Sequence, residues 1–214
     1  MTFGEIISLV HNASEADRML GVIPRLVNSA IHDIASQRSF RWMADTLDLT
    51  IPAGDSTVEL PANYKEPNGG RNSLRALDNS SEGFEPWILV SKQEMLNLQK
   101  MGSASASRTA CIEEVGEGTY QLRVAGTTGS PISFELDCYV FPEDLAEKTD
   151  TNQFTVEADM AVIQRTLMLV YSLMPGRQAE MAQAAQQYAS ELQGLASDDA
   201  TRRTAGRSFR MGGI

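Results

Sequence analysis

The sequence predicts an α+β protein, in which a helical body is interrupted by a β-rich insert and followed by an extended C-terminal arm. Three observations support this class. Near both ends of the chain, apolar residues recur every three or four positions, as in amphipathic helices. Between residues 40 and 145 they alternate with polar residues, as in strands that face a core on one side. Residues 198–214 are polar and rich in arginine.

Two helices are predicted before residue 40. The first spans residues 3–11, and the second begins near Pro24, a residue type suited to a first helical turn, and ends before Phe40. Each has one apolar stripe that should face a core. The stripes consist of Phe3, Ile6, Ile7 and Val10 in the first helix, and Leu26, Val27, Ala30, Ile31, Ile34 and Ala35 in the second.

The insert contains several segments with the alternation of strands. They cover residues 47–51, 58–60, 74–77, 87–90, 109–115, 119–125 and 132–141. The first two are predicted to pair as a hairpin, because a turn-forming Pro-Ala-Gly-Asp-Ser segment separates them. Residues 66–73 are loop-like. Ser91 and Glu94 match a capping box that would start a short helix, and residues 102–107 form a predicted flexible linker.

Two long helices are predicted to complete the helical body. The first, residues 160–174, is apolar nearly all round, which is typical of a central helix or of one at a subunit contact. Pro175 and Gly176 end it. The second runs from about Arg177 to Ala196 and carries a narrow alanine-rich stripe that permits close packing. The predicted domains are therefore the helical body, the β-rich insert and the extended arm, with the bounds 1–39 and 155–197, 40–145, and 198–214.

The charge of the chain is unevenly distributed. The 214 residues include 28 acidic and 18 basic side chains, for a net charge of −10. Residues 202–214 hold four arginines and no acid, so this tail is +4 and the rest of the chain is −14. An acidic body argues against a general nucleic-acid binder. No membrane span, secretory signal or disulfide framework is visible, which favours a cytoplasmic protein.

No motif indicates catalysis, a cofactor or a metal. The two histidines lack metal-ligand spacing, and Cys111 and Cys138 do not form a Cys-x-x-Cys pair. A nucleophile elbow and a phosphate-binding loop are both missing. Asp150 and Asn152 fit turn caps better than calcium ligands. We therefore expect a protein without enzymatic activity.

The arginine-rich tail fits an interaction arm. Phe209 and Met211 interleave with Arg207 and Arg210, and apolar anchors beside arginines are typical of protein interfaces. Four arginines beside an acidic body make a weaker case for nucleic acid.

The order of these segments resembles the head–tail adaptor (connector) proteins of tailed bacteriophages. The resemblance covers most of the chain and rests on several short patches. These are Phe3-Gly-Glu-Ile-Ile7, Val27-Asn-Ser-Ala30 followed by Arg41-Trp42, Leu60-Pro-Ala-Asn-Tyr64, and Glu135-Leu-Asp-Cys-Tyr-Val-Phe-Pro142 before a linker and two helices. The β-rich insert is larger than in the most compact members of that family.

The resemblance implies a structural virion protein of the neck, assembled in the host cytoplasm. Such adaptors form a homo-oligomeric ring beneath the portal protein, usually with its twelve-fold symmetry, and present a platform to a tail or nozzle protein. DNA passes through the ring without sequence-specific binding. In several members the C-terminal segment docks onto the portal protein, which here implies a portal-binding arm of Arg202, Arg203, Arg207, Phe209, Arg210 and Met211.

A ring subunit needs two different side faces. The two long C-terminal helices are candidates for those faces, and an acidic body could line a channel that repels DNA phosphates. The predicted subunit-interface residues are Met160, Ile163, Leu167, Met181 and Tyr188.

Two other functions stay open at this point. The first is a virion surface or baseplate module whose β-rich insert binds a receptor or a glycan, with Trp42, Trp87 and Tyr120 as stacking platforms. The second is a small hydrolase with an unrecognised site.

Overall fold

The computed structural model describes residues 1–77, 84–101, 108–126 and 129–208. The chain divides into two compact units. One consists of Met1–Met43 together with the chain from Phe141 onward, and the other is Ala44–Val140. We call them the helical unit and the strand unit. Together they confirm the predicted mixed α+β class.

The described residues contain six α-helices. They are α1 (Phe3–Ser14), α2 (Ile23–Gln37), α3 (Lys92–Lys100), α4 (Gln153–Glu157), α5 (Asp159–Ser172) and α6 (Gln178–Ser208). All except α3 belong to the helical unit. The two predicted N-terminal helices are confirmed, with Pro24 in the first turn of α2. The short helix α4 had no counterpart in the sequence prediction, because five residues are too few to show a period.

The centre of the helical unit is α5, which packs against α1, α2 and α6. Its buried residues lie on more than one side: Ala161, Val162, Ile163, Thr166, Leu167, Val170 and Tyr171. The near-continuous apolar character of this segment therefore reflects a central position in the chain's own fold.

A capping box fixes the start of α1. The Thr2 hydroxyl accepts from the Glu5 backbone N–H at 3.3 Å, and the Glu5 carboxylate accepts from the Thr2 N–H at 2.8 Å. The Gly4 N–H donates to the Lys148 carbonyl at 2.9 Å, and a Cβ at Gly4 would lie 2.9 Å from that same oxygen. Glycine therefore permits the close approach of α1 to the chain that leads into α4.

The last helix is longer than the sequence predicts. The prediction ended it near Ala196 and made residues 198–214 an extended arm, whereas α6 continues to Ser208. The extended arm is thus wrong over residues 198–208. Residues 200–207 include few apolar side chains, so this part of the helix shows no periodic signal in the sequence. Asp199 and Arg202 make polar contacts there, with Arg41 and Glu157. Residues 209–214 lie outside the described part of the chain.

The described part of the strand unit has eight strands in one sheet. They are β1 (Ala44–Ile51), β2 (Thr57–Glu59), β3 (Tyr64–Pro67), β4 (Leu74–Leu77), β5 (Phe84–Leu89), β6 (Thr109–Gly116), β7 (Thr119–Val124) and β8 (Ile132–Val140). The order is β1-β8-β4-β5-β6-β7-β2, and β3 also pairs with β8. The pairs are antiparallel except for β5 with β6, which is parallel. The two ends of this order are β1 and β2, which are joined by the short segment 52–56. The edges of the sheet therefore lie near each other, and the sheet is nearly closed.

The predicted hairpin between β1 and β2 is wrong. All eight residues of β1 pair with β8, from Ala44 opposite Tyr139 to Ile51 opposite Ile132, and β2 pairs with β7. Pairing with the long strand β8 places Leu49 and Ile51 in the core with Phe134 and Leu136. A three-residue strand next to β1 could not satisfy as much of its backbone.

Two smaller differences concern the loops of the insert. Residues 64–67, partly assigned to a loop, form β3. The Ser91 hydroxyl caps α3 by accepting from the Glu94 N–H at 3.1 Å, as predicted. The Glu94 carboxylate, however, accepts two hydrogen bonds from the Arg71 guanidinium, at 2.8 and 2.9 Å. The predicted linker 102–107 lies outside the described residues.

Candidate functional site

The arginine-bearing end of α6 is the first candidate contact region. Arg202 is exposed, and its guanidinium lies 3.5 Å from the Glu157 carboxylate. Arg203 and Arg207 occupy the last turns of α6. Phe209, Arg210 and Met211, which complete the predicted portal-binding arm, lie outside the described residues. The helix therefore carries the first three of the six predicted arm residues.

Two polar contacts attach α6 to the end of α2 and to the chain just after it. The Tyr188 hydroxyl accepts from the Gln37 amide at 2.9 Å, and the Arg165 guanidinium carbon lies 5.9 Å from the Tyr188 ring centroid. Burial raises the pKa of the Tyr188 hydroxyl, which therefore stays neutral. Eleven residues further on, the Asp199 carboxylate accepts from the Arg41 backbone N–H at 2.8 Å. Sequence reasoning assigned Tyr188 to an interface and missed Asp199, which has no apolar period to mark it.

The five predicted interface residues have different environments. Ile163, Leu167 and Tyr188 are buried within their own chain. Their helical spacing predicted burial correctly but not the partner that buries them. Met160 is exposed and Met181 is half-buried, so these two are the accessible members of the predicted set.

Each of those methionines belongs to an apolar surface patch. Val156 in α4 and Met160 in the first turn of α5 are both exposed, and we call them the α4–α5 patch. At the other end of α5, Leu173 is 57% exposed beside Met181, where the two line a cavity of about 490 Å³. Leu20, which is 51% exposed, lies in the turn between α1 and α2. We call these three residues, Leu20, Leu173 and Met181, which lie at one end of the helical unit, the turn patch.

Two contacts bring the turns of this second patch to the same end of the helical unit. The Tyr171 hydroxyl donates to the Ala13 carbonyl at 3.2 Å. The Arg177 guanidinium lies 3.7 Å from the Glu15 carboxylate and 2.8 Å from that of Glu180. Sequence reasoning missed this patch, because its residues come from turns that are distant in the chain.

The strand unit has a cavity of about 560 Å³. Tyr64, Leu89, Ile112 and Tyr120 contribute its apolar and aromatic walls, and the paired Arg71 and Glu94 also line it. The rings of Tyr64 and Tyr120 meet edge to face at 5.5 Å.

This arrangement weakens the glycan-binding alternative. Trp87 is only 7% exposed and packs edge to face on Phe134. Trp42 stacks on Phe40 in the helical unit, with ring centroids 4.5 Å apart. Of the three predicted stacking platforms, Tyr120 alone lines the cavity.

A buried carboxylate organises the polar side of the strand unit. Glu113 in β6 accepts from Gln121 at 2.6 Å and forms ion pairs with Lys92 at 2.6 Å and Arg123 at 2.8 Å. The hydrogen bond from Lys92, followed by those contacts from β7, lowers the pKa of Glu113 below its ordinary value despite burial. These partners hold the carboxylate charged, as a structural ion pair requires.

The cysteines and histidines have structural environments within the described part of the chain. Burial raises the pKa of the Cys111 thiol, and that of Cys138 to about 11, so both thiols are protonated at neutral pH and are poor nucleophiles. His11 and His32 each contact one carboxylate, on Asp17 and Asp144. Across the described ranges, no group of three or more histidine, cysteine, aspartate or glutamate side chains is placed to hold a metal ion.

Asp150 and Asn152 have the capping roles that the sequence predicts. The Asp150 carboxylate accepts from the backbone N–H groups of Ala146 and Glu147 at 2.9 and 2.8 Å, and these bonds lower its pKa. The Asn152 side chain caps α4. Among the described helices, none combines the length and apolar character needed to span a bilayer.

Comparisons with known proteins identify the family. The search of curated proteins found no match. The family model described as SU10 adaptor protein matches residues 1–212, which is nearly the whole chain. The helical unit, the strand unit and the arginine-bearing end of α6 all fall within that match. The chain therefore belongs to the SU10 adaptor protein family, which confirms its resemblance to phage head–tail adaptors.

Proposed function

We propose that this protein is a head–tail adaptor that forms a ring beneath the portal protein, extends the DNA channel and offers the attachment platform for a tail or nozzle protein. The observation that carries the proposal is the family match over residues 1–212. A twelve-fold ring in the virion neck, assembled in the host cytoplasm, is the form that we expect.

Two separate apolar patches on the helical unit support a ring. A closed ring needs a head-to-tail contact, in which one patch of a subunit meets a different patch of its neighbour. The α4–α5 patch and the turn patch lie at opposite ends of α5, which is about 20 Å long. We propose that the α4–α5 patch of one subunit contacts the turn patch of the next.

Charge supports the remaining parts of the proposal. The strand unit carries 14 acidic and 7 basic side chains, so its surface would repel DNA phosphates in a channel. The segment 202–214 is +4 and would suit an acidic surface on the portal protein.

The portal contact is testable by replacing charge without shortening the chain. Replacing Arg203, Arg207 and Arg210 together with glutamine should reduce portal affinity at least tenfold, by an order-of-magnitude expectation for several interface arginines. Replacing the exposed Arg18, Arg25 and Lys148 with glutamine removes the same charge elsewhere and should leave affinity unchanged. Equal affinities of the two triple variants, measured by biolayer interferometry, would contradict the proposed arm.

A further inference from the structure

Asp199 in α6 has a buried carboxylate, although the residues on either side of it in the sequence are exposed. Its side chain is 0% exposed, whereas Asp198 beside it faces solvent. One carboxylate oxygen accepts from the Arg41 N–H at 2.8 Å, and the other lies 3.9 Å from an Arg38 guanidinium nitrogen. Aspartate is a poor residue for a helix interior, and burial of its charge is unfavourable without such contacts. Asp199 therefore has a role that helix formation and core packing do not explain.

Asp199 is the second of two anchors on one face of α6. Tyr188 and Asp199 are eleven residues apart, which is three helical turns, so they point in nearly the same direction. Tyr188 contacts Gln37, and Asp199 contacts Arg41. Arg38, between those partners, has an extended backbone with φ −156° and ψ 148°. The two contacts therefore place residues 37–41 alongside α6.

Between the anchors, no residue of α6 over 189–198 is buried: Leu192, Leu195 and Ala196 are half-buried, and the others are exposed. A cavity of about 400 Å³ separates it from the end of α2, with Leu192 and Ala196 among its lining residues. Gly194 lies in this span, and a Cβ added there would meet no atom within 4 Å. Glycine weakens a helix at its interior. The pair of Arg202 with Glu157 is about half exposed and so contributes little. We call residues 195–208 the distal segment. Among the side chains described for residues 195–202, that of Asp199 is the buried one, which makes it the main candidate for the attachment of this segment.

We propose that Asp199 is a positioning residue that holds this distal segment along the helical unit and so sets the direction of the arginine-bearing end of α6. Asp199 does not itself contact the partner. Without it, the distal segment pivots near Gly194 and the arginine-bearing end of α6 loses its fixed direction. The functional part of this inference rests on the proposed portal contact.

Hydrogen–deuterium exchange of the full chain tests the positioning role. In Asp199→Ala, amides of residues 197–208 should exchange at least tenfold faster than in the unsubstituted protein, while those of 178–190 keep their rates. Asp198→Ala, the matched control, should exchange like the unsubstituted protein. Unchanged rates over 197–208 in Asp199→Ala would overturn the proposal. If Asp199→Ala fails to fold, Asp199→Asn takes its place. It should exchange at least threefold faster over residues 197–208, and unchanged rates in this variant would contradict the proposal.

Portal binding by the same variants separates this inference from the proposed function. We expect Asp199→Ala to bind the portal protein at least tenfold more weakly and Asp198→Ala to bind normally. If Asp199→Ala exchanges fast but binds the portal protein with unchanged affinity, the positioning role of Asp199 is wrong, whereas the proposed portal contact still stands. If the unsubstituted protein does not bind the portal protein, the proposed function is contradicted. The exchange rates would still show whether Asp199 holds the distal segment.

Discussion

Glu113 links three elements of the strand unit through one buried carboxylate. Its partners lie on α3 (Lys92) and on β7 (Gln121 and Arg123). Since these contacts lower its folded pKa, Glu113 stabilises the fold fully at pH values above its unfolded pKa of about 4.3. This stabilisation is lost as the pH falls below that value and through the folded pKa.

Glu113→Gln should therefore lower the free energy of unfolding by about 1–3 kcal/mol at pH 7. The difference from the unsubstituted protein should shrink below about pH 4, where the native carboxylate becomes protonated. Urea unfolding at a series of pH values measures both effects. Glu117→Gln, on the exposed hairpin tip, is the control and should change stability by less than about 0.5 kcal/mol. A pH-independent difference would contradict the assigned role.

Gly4 offers a second test at the scale of one residue. Gly4→Ala places a Cβ 2.9 Å from the Lys148 carbonyl oxygen, so it should destabilise the protein by about 1–3 kcal/mol. Gly194→Ala, in an open position of α6, should instead stabilise by about 0.5–1 kcal/mol. Thermal unfolding of the two variants gives the comparison, and an equal shift in both would show that α1 does not approach this loop closely.

At the scale of elements, the pairing of β1 with β8 differs from the β1–β2 hairpin that the local sequence predicts. Thr50 lies opposite Ser133, and their hydroxyl oxygens are 3.1 Å apart. In Thr50→Cys/Ser133→Cys, we expect a disulfide after oxidation, with a stability gain of about 2–4 kcal/mol. In Thr50→Cys/Thr57→Cys, which tests a β1–β2 hairpin, we expect no efficient cross-link. Mass spectrometry after proteolysis distinguishes them, and the reverse pattern would contradict the sheet order.

Local sequence signals predicted the elements better than their partners. Helical spacing located α1, α2 and α5, and alternation located β6, β7 and β8, because these periods reflect burial along one element. Nothing local specifies that β1 joins β8, which lies more than 80 residues away. A turn-forming segment after Ile51 therefore suggested the wrong neighbour.

The candidate site was predictable only in part for the same reason. The arginines of the tail stand out by charge, so the contact region at the end of the chain could be proposed from sequence. The spacing of Ile163, Leu167 and Tyr188 indicates burial, but it does not say whether the same chain or another subunit provides the partner. Leu20 and Leu173 lie at the same end of the helical unit only through the packing of α1 against α5 and the turn after it.

The two apolar patches allow a test of their proposed contact between subunits. Leu173→Asp and Met160→Asp should each weaken ring formation at least tenfold, because a charge would be buried in the contact. Val115→Asp, at an exposed apolar position of the strand unit, is the control and should leave assembly unchanged. Analytical ultracentrifugation in the presence of portal protein measures the effect, and equal assembly of all three variants would exclude these patches as the ring contact.

At the scale of the whole molecule, the charge separation predicts salt-dependent docking. An acidic remainder of −14 and a tail of +4 make the tail the basic end of the protein. Portal affinity should fall by about tenfold between 50 and 500 mM NaCl, because salt screens exposed charges. The triple arginine variant should lose most of this dependence. A salt-insensitive affinity would indicate that the tail's charge does not contribute to docking.

The central claim is that this adaptor-family protein forms a ring on the portal protein, and electron microscopy of the mixed components tests it most directly. We expect rings with a central hole, stacked coaxially on the portal, with the twelve-fold symmetry of the partner. A monomer that leaves the portal unoccupied at micromolar concentrations would contradict the account.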